Sequence, residues 1–171
     1  MNKITFIVGG ARSGKSTHAL GLAKKYRDVA FVATCQGLDK EMRERICLHQ
    51  RARPAHWKTF EETKEIAPLV MKIGSAFDCI IIDCLTLLVS NLMLNGLSGE
   101  EILQKVREFL AQVRKKKARV IIVSNEVGLG IVPATKLGRG FRDVAGKVNQ
   151  AVARVADEVI FMVSGLPLKI K

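Results

Sequence analysis

The segment Gly9-Gly10-Ala11-Arg12-Ser13-Gly14-Lys15-Ser16 follows directly on the apolar run Ile4 to Val8. A glycine, four residues and then Gly-Lys-Ser, set between a strand-like and a helix-like stretch, leaves few folds open. The glycines let successive backbone N–H groups curl around a phosphate, and a helix that starts there turns its positive end toward the same anion. Lys15 adds a point charge for the outer phosphates, and Ser16 offers a hydroxyl to a magnesium ion. This pattern predicts a phosphate-binding loop.

The rest of the chain supplies the frame such a loop needs. Near-continuous apolar runs recur at Ile4 to Val8, Val29 to Ala33, Cys79 to Ile82, Val120 to Val123 and Val159 to Val163. Strands buried on both faces have this character. The stretches Lys15 to Tyr26, Asp39 to about His49, Glu61 to Lys72, Ser98 to Lys117 and Phe141 to Ala156 read as helices, and Ser98 with Glu101 forms a capping box. Alternating strands and helices predict an α/β fold, a mostly parallel sheet with helices on both faces. No linker, low-complexity tract or repeat divides the sequence, so residues 1–171 are expected to form a single domain.

Composition narrows the class. The chain has 171 residues, 48% hydrophobic and 26% charged, which excludes a mainly disordered protein. No apolar stretch reaches the roughly 18 to 20 residues of a membrane span, since Thr86, Ser90 and Asn91 interrupt Leu85 to Leu94. No signal peptide is read at the start. Cys35, Cys47, Cys79 and Cys84 lack CxxC spacing, which argues against zinc or a disulfide framework and for a cytoplasmic setting. The net charge of +12 suits nucleic acid, an anionic membrane or a phosphorylated ligand. One Trp, one Tyr and seven Phe give little surface for stacking bases, so nucleic acid is a minor alternative. Lys115 to Lys117 are expected to close a helix and face water. Arg43, Arg45, Arg51 and Arg53 are candidate anion sites, and Arg139 and Arg142 with Gly138 and Gly140 are either a further anion site or a solvated loop.

Two further groups carry chemistry. Asp83 ends the run from Cys79 and would hold magnesium near the loop, directly or through water. His49 shares a predicted helix face with Met42 and Ile46 at i, i+4, i+7, and Pro54 should end that helix. On that face His49 reads as a packed core histidine, whereas local positive charge favours a neutral, nucleophilic imidazole able to attack a phosphate ester, and both readings stay open. His56 fits the same description by composition, whereas His18 inside the first helix reads as structural.

Taken together, Gly9 to Ser16, Val32-Ala33-Thr34, Glu41-Met42 with Arg45-Ile46 and His49, Arg53-Pro54, Trp57, Thr59 and Glu61 resemble the bifunctional adenosylcobinamide kinase and adenosylcobinamide-phosphate guanylyltransferase family of cobalamin biosynthesis. The later blocks are similar too: Asp83-Cys84-Leu85-Thr86 with Ser90-Asn91, Val123 to Gly128 with Gly130 to Pro133, Arg142-Asp143, Asn149, and Ala156 to Val159 with Gly165-Leu166-Pro167. The resemblance spans nearly the whole chain.

It implies a P-loop NTPase-like three-layer fold and a cytoplasmic homotrimer that uses GTP and ATP with Mg2+. It also implies two reactions: phosphorylation of adenosylcobinamide, then transfer of GMP through a covalent histidine to adenosylcobinamide phosphate, giving adenosylcobinamide-GDP and pyrophosphate. By position His49 would be that histidine, with Lys15 the other catalytic group. Nucleotide contacts would fall on Gly9, Gly10, Ala11, Arg12, Ser13, Gly14, Lys15 and Ser16, on Ala33, Thr34 and Cys35, on Gln50, Arg51, Ala52 and Arg53, and on Glu61 and Asp83. Ser16 and Asp83 would be the metal ligands. Gln50 departs from the basic residue many relatives carry after the histidine, and Cys35 replaces a smaller residue. Asp83 and Glu126 are both candidates for the base that activates the substrate hydroxyl. A P-loop kinase of another small alcohol would need no covalent histidine, and a nucleotide-gated or nucleic-acid-binding module would show no corrinoid turnover.

Overall fold

The computed structural model describes residues 3–37 and 40–171, apart from the side chains of Glu41 and Arg45. Asp39, the expected first residue of the second helix, lies outside the described residues. The five apolar runs form the middle of a seven-stranded sheet. Its strands are β1 (Ile4–Gly9), β2 (Val29–Ala33), β3 (Lys58–Glu61), β4 (Cys79–Asp83), β5 (Arg119–Asn125), β6 (Glu158–Val163) and β7 (Leu166–Lys169). They lie in the spatial order β3-β2-β4-β5-β1-β6-β7, all parallel except the β6–β7 hairpin.

Helices α1 (Lys15–Ala23), α2 (Lys40–Arg51), α3 (Ile66–Ile73), α4 (Leu85–Leu94), α5 (Gly99–Arg114) and α6 (Lys136–Val155) connect the strands. The sheet is covered on both faces, which is why β1 and β2 are buried at every position instead of alternating. One face presents Phe6, Ile80, Ile82 and Ile122 to α3, α4, α5 and α6. The other presents Ile7, Phe31, Ile81 and Ile121 to Ala19, Leu20 and Ala23 of α1. Each large side chain fully buried there contributes about 1.5–3 kcal/mol of transfer free energy. The architecture is a three-layer α/β fold of P-loop NTPase type, as expected.

Several local expectations differ from the structure. Glu61 to Lys72 is not one helix. Lys58 to Glu61 pairs with β2, and the Glu62 carboxylate then accepts the N–H groups of Lys64 and Glu65, both at 2.9 Å, turning the chain into α3. Pro68 is tolerated because it falls in the first turn of α3. Helix α6 begins at Lys136, capped by Thr135, whose hydroxyl accepts the N–H of Gly138. Gly138 and Gly140 therefore lie inside a helix and do not mark a loop. The capping box of α5 is present, with both reciprocal bonds between Ser98 and Glu101. Lys115 and Lys117 face water, but Lys116 is half-buried and donates to the Met71 carbonyl at 3.0 Å.

Candidate active site

The loop between β1 and α1 is shaped by close approach. A side chain at Gly9 would place its Cβ 2.5 Å from the Met162 carbonyl of β6, so β6 can pack only against a glycine. Gly14 caps α1 with φ +93°, and its missing Cβ would sit 3.3 Å from Gly165 Cα. Gly165, in the β6–β7 turn, donates its N–H to the Ser13 carbonyl at 3.1 Å and buttresses the loop from behind. Arg12 adopts φ +55° at the tip. Lys15 is buried although charged, and its Nζ donates to the Gly10 carbonyl at 2.5 Å across the curl. Burial lowers its pKa, with the nearby Asp83 acting in the opposite direction.

The loop forms the floor of a cleft of about 620 Å³ at the carboxyl ends of the parallel strands. Ala33 and Cys35 enter from the end of β2, Glu61 from β3, Asp83 from β4, and Val123 and Asn125 from β5. This is where an open α/β sheet places its ligands. The Ser16 hydroxyl stands beside the Asp83 carboxylate and favours its ionised form. Burial raises the Asp83 pKa, opposed by the Ser16 hydroxyl and by the charges of His49, Arg53 and Lys15.

Helix α2 forms one wall, with Met42, Ile46, His49 and Gln50 facing the cleft. The helical spacing therefore delivers the imidazole to the loop's side of the molecule. Beyond the helix end, the Arg53 guanidinium stacks 3.5 Å over the Phe31 ring and donates to Thr59 Oγ1 at 3.0 Å. Burial lowers the Arg53 pKa, opposed by Asp83 and Glu61. Ser13 Oγ and Arg53 Nε, both from residues that line the cleft, are buried without a hydrogen-bond partner among the described residues. Buried polar atoms are rarely left so, and a bound anion would satisfy both.

Other expected residues lie elsewhere. Gly9 and Gly10 do not themselves line the cleft, and Arg51 and Ala52 are exposed outside it. Thr34 is fully buried with every polar group engaged. Its N–H donates to the Asp83 carbonyl, its hydroxyl to the Cys84 carbonyl at 2.7 Å, and its own carbonyl accepts Asn91 Nδ2 at 2.8 Å. Cys84 is buried beside it, its thiol pushed up to about 12 by desolvation. His56 is exposed outside the cleft, and His18 lies on α1 with Nε2 buried and without a hydrogen-bond partner among the described residues. Glu126 turns back to accept the Gly128 N–H at 2.7 Å and does not line the cleft. Arg139 and Arg142 sit on α6. Arg139 donates to the carbonyls of Pro133 and Ala134, and Arg142 pairs with Asp143 at 3.7 Å, so neither forms an anion site in this cleft.

Sequence reasoning gave no role to Phe31 or Asn125, both of which line the cleft. Phe31 reads as one more strand residue. Asn125 carried a usable signal, because it ends an apolar run as Asp83 does.

A glycine loop opening a helix, with a strand-end carboxylate beside the serine after its lysine, defines a P-loop protein that binds nucleoside phosphates. The model of the family described as cobinamide kinase / cobinamide phosphate guanyltransferase matches residues 5–170, and the chain belongs to that family. It is similar to the bifunctional adenosylcobalamin biosynthesis protein CobU of Salmonella typhimurium, 42% identical across 96% of this chain and 98% of that one. The Escherichia coli protein of the same name is 38% identical over 96% of this chain and 98% of its own. The bifunctional adenosylcobalamin biosynthesis protein CobP of Pseudomonas aeruginosa is 42% identical, covering 96% and 95%. Family membership makes the chain an enzyme, a kinase and a nucleotidyltransferase that takes nucleotide co-substrates.

Proposed function

We propose that this chain phosphorylates adenosylcobinamide with ATP or GTP and then, in the same cleft, passes GMP from GTP through His49 to adenosylcobinamide phosphate. The products of the second step are adenosylcobinamide-GDP and pyrophosphate. The observation that carries the reading is that His49, Lys15 and Ser16 face one cleft, although α2 and the phosphate loop are separate elements. A kinase alone has no use for an imidazole there.

In the guanylyl step, His49 nitrogen attacks the α-phosphorus and the bond to the β-phosphate breaks, its electrons leaving with pyrophosphate. Lys15 and the loop N–H groups lie where that charge develops. The covalent adduct divides one transfer into two displacements. Arg53, held over Phe31, offers donors to phosphate oxygens, and the Glu61 carboxylate can accept the N–H groups of a guanine edge. Gly9 to Ser16, Ala33, Cys35 and Gln50 complete the nucleotide site. Thr34 supports it from behind, and Arg51 and Ala52 end the helix that carries His49.

Ser16 and Asp83 fit a magnesium ion: two oxygen donors already in contact, with no cluster of three acidic, His or Cys ligands among the described residues. Magnesium bound with a nucleotide takes few protein ligands and completes its shell with phosphates and water. When bound it would neutralise phosphate charge. We assign the enzyme to the cytoplasm as a homotrimer, with residues 1–171 acting as one catalytic unit. Among the described residues, no helix is long and apolar enough to cross a membrane.

Assays of the two half-reactions with His49→Ala test the reading. Cobinamide phosphate should still form from ATP, while the GDP-linked product disappears. Loss of neither product would contradict it.

A further inference from the structure

Asn125 ends β5, the strand between β4, which delivers Asp83, and β1, which delivers the phosphate loop. In the sheet register it lies opposite Gly9, and its strand neighbour Val123 lies opposite Asp83. The side chain lines the cleft, and its amide has no hydrogen-bond partner among the described residues. Its backbone is held on both sides. The N–H donates to Thr86 Oγ1 at 2.6 Å, and the carbonyl accepts Asn149 Nδ2 at 3.0 Å. Thr86 and Asn149 are themselves buried, as is Ser124, whose hydroxyl lies 3.1 Å from that of Thr86. The next residue, Glu126, donates its N–H to the Gly9 carbonyl at 3.0 Å. Three elements, α4, β1 and α6, thus fix one strand end whose side chain is left open to the cleft. An amide preorganised in this way is suited to donate to charge that develops beside it.

We propose that the Asn125 side-chain amide is a catalytic residue of the kinase step, donating to the terminal phosphoryl of the nucleotide as that group transfers. The inference rests on the function proposed above. In that step an oxygen lone pair of the substrate hydroxyl forms the new bond to γ-phosphorus. The bond to the β-bridging oxygen breaks with its electrons going to the nucleoside diphosphate, and the hydroxyl proton leaves to water. Negative charge spreads over the γ-oxygens between Lys15 and the strand end that carries Asn125. In guanylyl transfer the γ-phosphate leaves intact within pyrophosphate and the reacting phosphorus is the α-phosphorus, so Asn125 matters far less. Thr86 and Asn149 are positioning residues that act through it.

The test compares the two halves in the full chain: cobinamide phosphate formation from ATP and the acid-labile GMP adduct from GTP, in wild type, Asn125→Ala and Asn125→Asp. Loss of a single preorganised donor should lower kcat of the kinase step on the order of 10²-fold with a smaller change in KM for ATP, while adduct formation stays within about fivefold. Asn125→Asp, nearly isosteric but anionic beside the phosphoryl, should lose more than the alanine variant. If the alanine variant does not fold, the Asp variant carries the test. Thr86→Val should lower the kinase rate by about tenfold, and Thr86→Ser should restore it, because only the hydroxyl oxygen is needed. Unchanged kinase turnover in both Asn125 variants, or an equal loss of both halves with melting unchanged, would overturn the inference. A wild-type protein that makes neither product nor adduct would instead contradict the proposed function, so the two failures are distinguishable.

Discussion

The Ser16 hydroxyl stands beside the Asp83 carboxylate and favours its ionised form, bringing the first turn of α1 to the last residue of β4. Two segments 67 residues apart in sequence meet there because β1 and β4 both flank β5. A cation that binds between nucleotide and protein finds its two oxygens already in place.

Asp83→Asn tests this pair in two ways. Burial raises the Asp83 pKa, so above the ordinary carboxylate value of 3.8 the native state holds a proton the unfolded chain has lost. This group's stabilising contribution is therefore complete below that value and is lost as pH rises through the raised one. The nucleotide-free Asn variant should melt above wild type near neutral pH, with the difference shrinking as pH falls. Both transfer activities should drop on the order of 10²-fold or more. A melting point unchanged across the range would contradict the pKa argument.

Lys15→Met removes the point charge while keeping the buried stem. Burial lowers the Lys15 pKa, so the ammonium already bears a desolvation cost that a phosphate would offset. Phosphoryl and guanylyl transfer should both fall at least about 10²-fold, with melting equal to wild type or higher. Steady-state assays of each half-reaction beside a thermal melt check this.

Arg53→Lys separates charge from shape. The guanidinium sits over Phe31, its carbon 3.5 Å from the ring centre, and reaches Thr59 Oγ1, which an ammonium cannot do together. GTP affinity should weaken by roughly tenfold, about 1.4 kcal/mol, despite the conserved charge. Equilibrium titration with GTP reads the change, and full retention of affinity would show that the stacking is incidental.

How much of this was legible in the sequence depends on which residues carried a local signal. The phosphate loop, the five apolar runs and Asp83 were readable because a buried parallel strand needs an unbroken apolar stretch and the loop needs its glycines. The strand β3 was not, since Lys58, Thr59 and Glu61 are exposed on a sheet edge and only Phe60 is half-buried. Helix α4 was hidden because Leu85 to Leu94 is apolar on nearly every side, which leaves no periodicity to read. Arg139 and Arg142 misled because glycines inside α6 resemble a loop, whereas Thr135 caps a helix upstream of them. His49 facing the loop was legible as helical spacing, but choosing it over His56 required the resemblance.

Thr34→Val should act on stability. The Thr34 hydroxyl accepts the Cys84 N–H at 2.8 Å and donates to the Cys84 carbonyl, so valine leaves the buried Cys84 N–H unpaired, whereas the carbonyl keeps the Leu88 N–H at 3.2 Å. The expected cost is about 1–3 kcal/mol, or roughly 2–4 °C of Tm per kcal/mol for a chain of this size. Calorimetry would read it, and a melting point equal to wild type would show that Thr34 is not what holds the strand ends together.

The covalent histidine is the central claim, and intact mass spectrometry after brief incubation with GTP and magnesium tests it most directly. A gain of one GMP that is lost in acid, survives alkali and maps to His49 is the expected result. Nucleotide bound without any adduct, or an adduct on His56, would contradict the assignment.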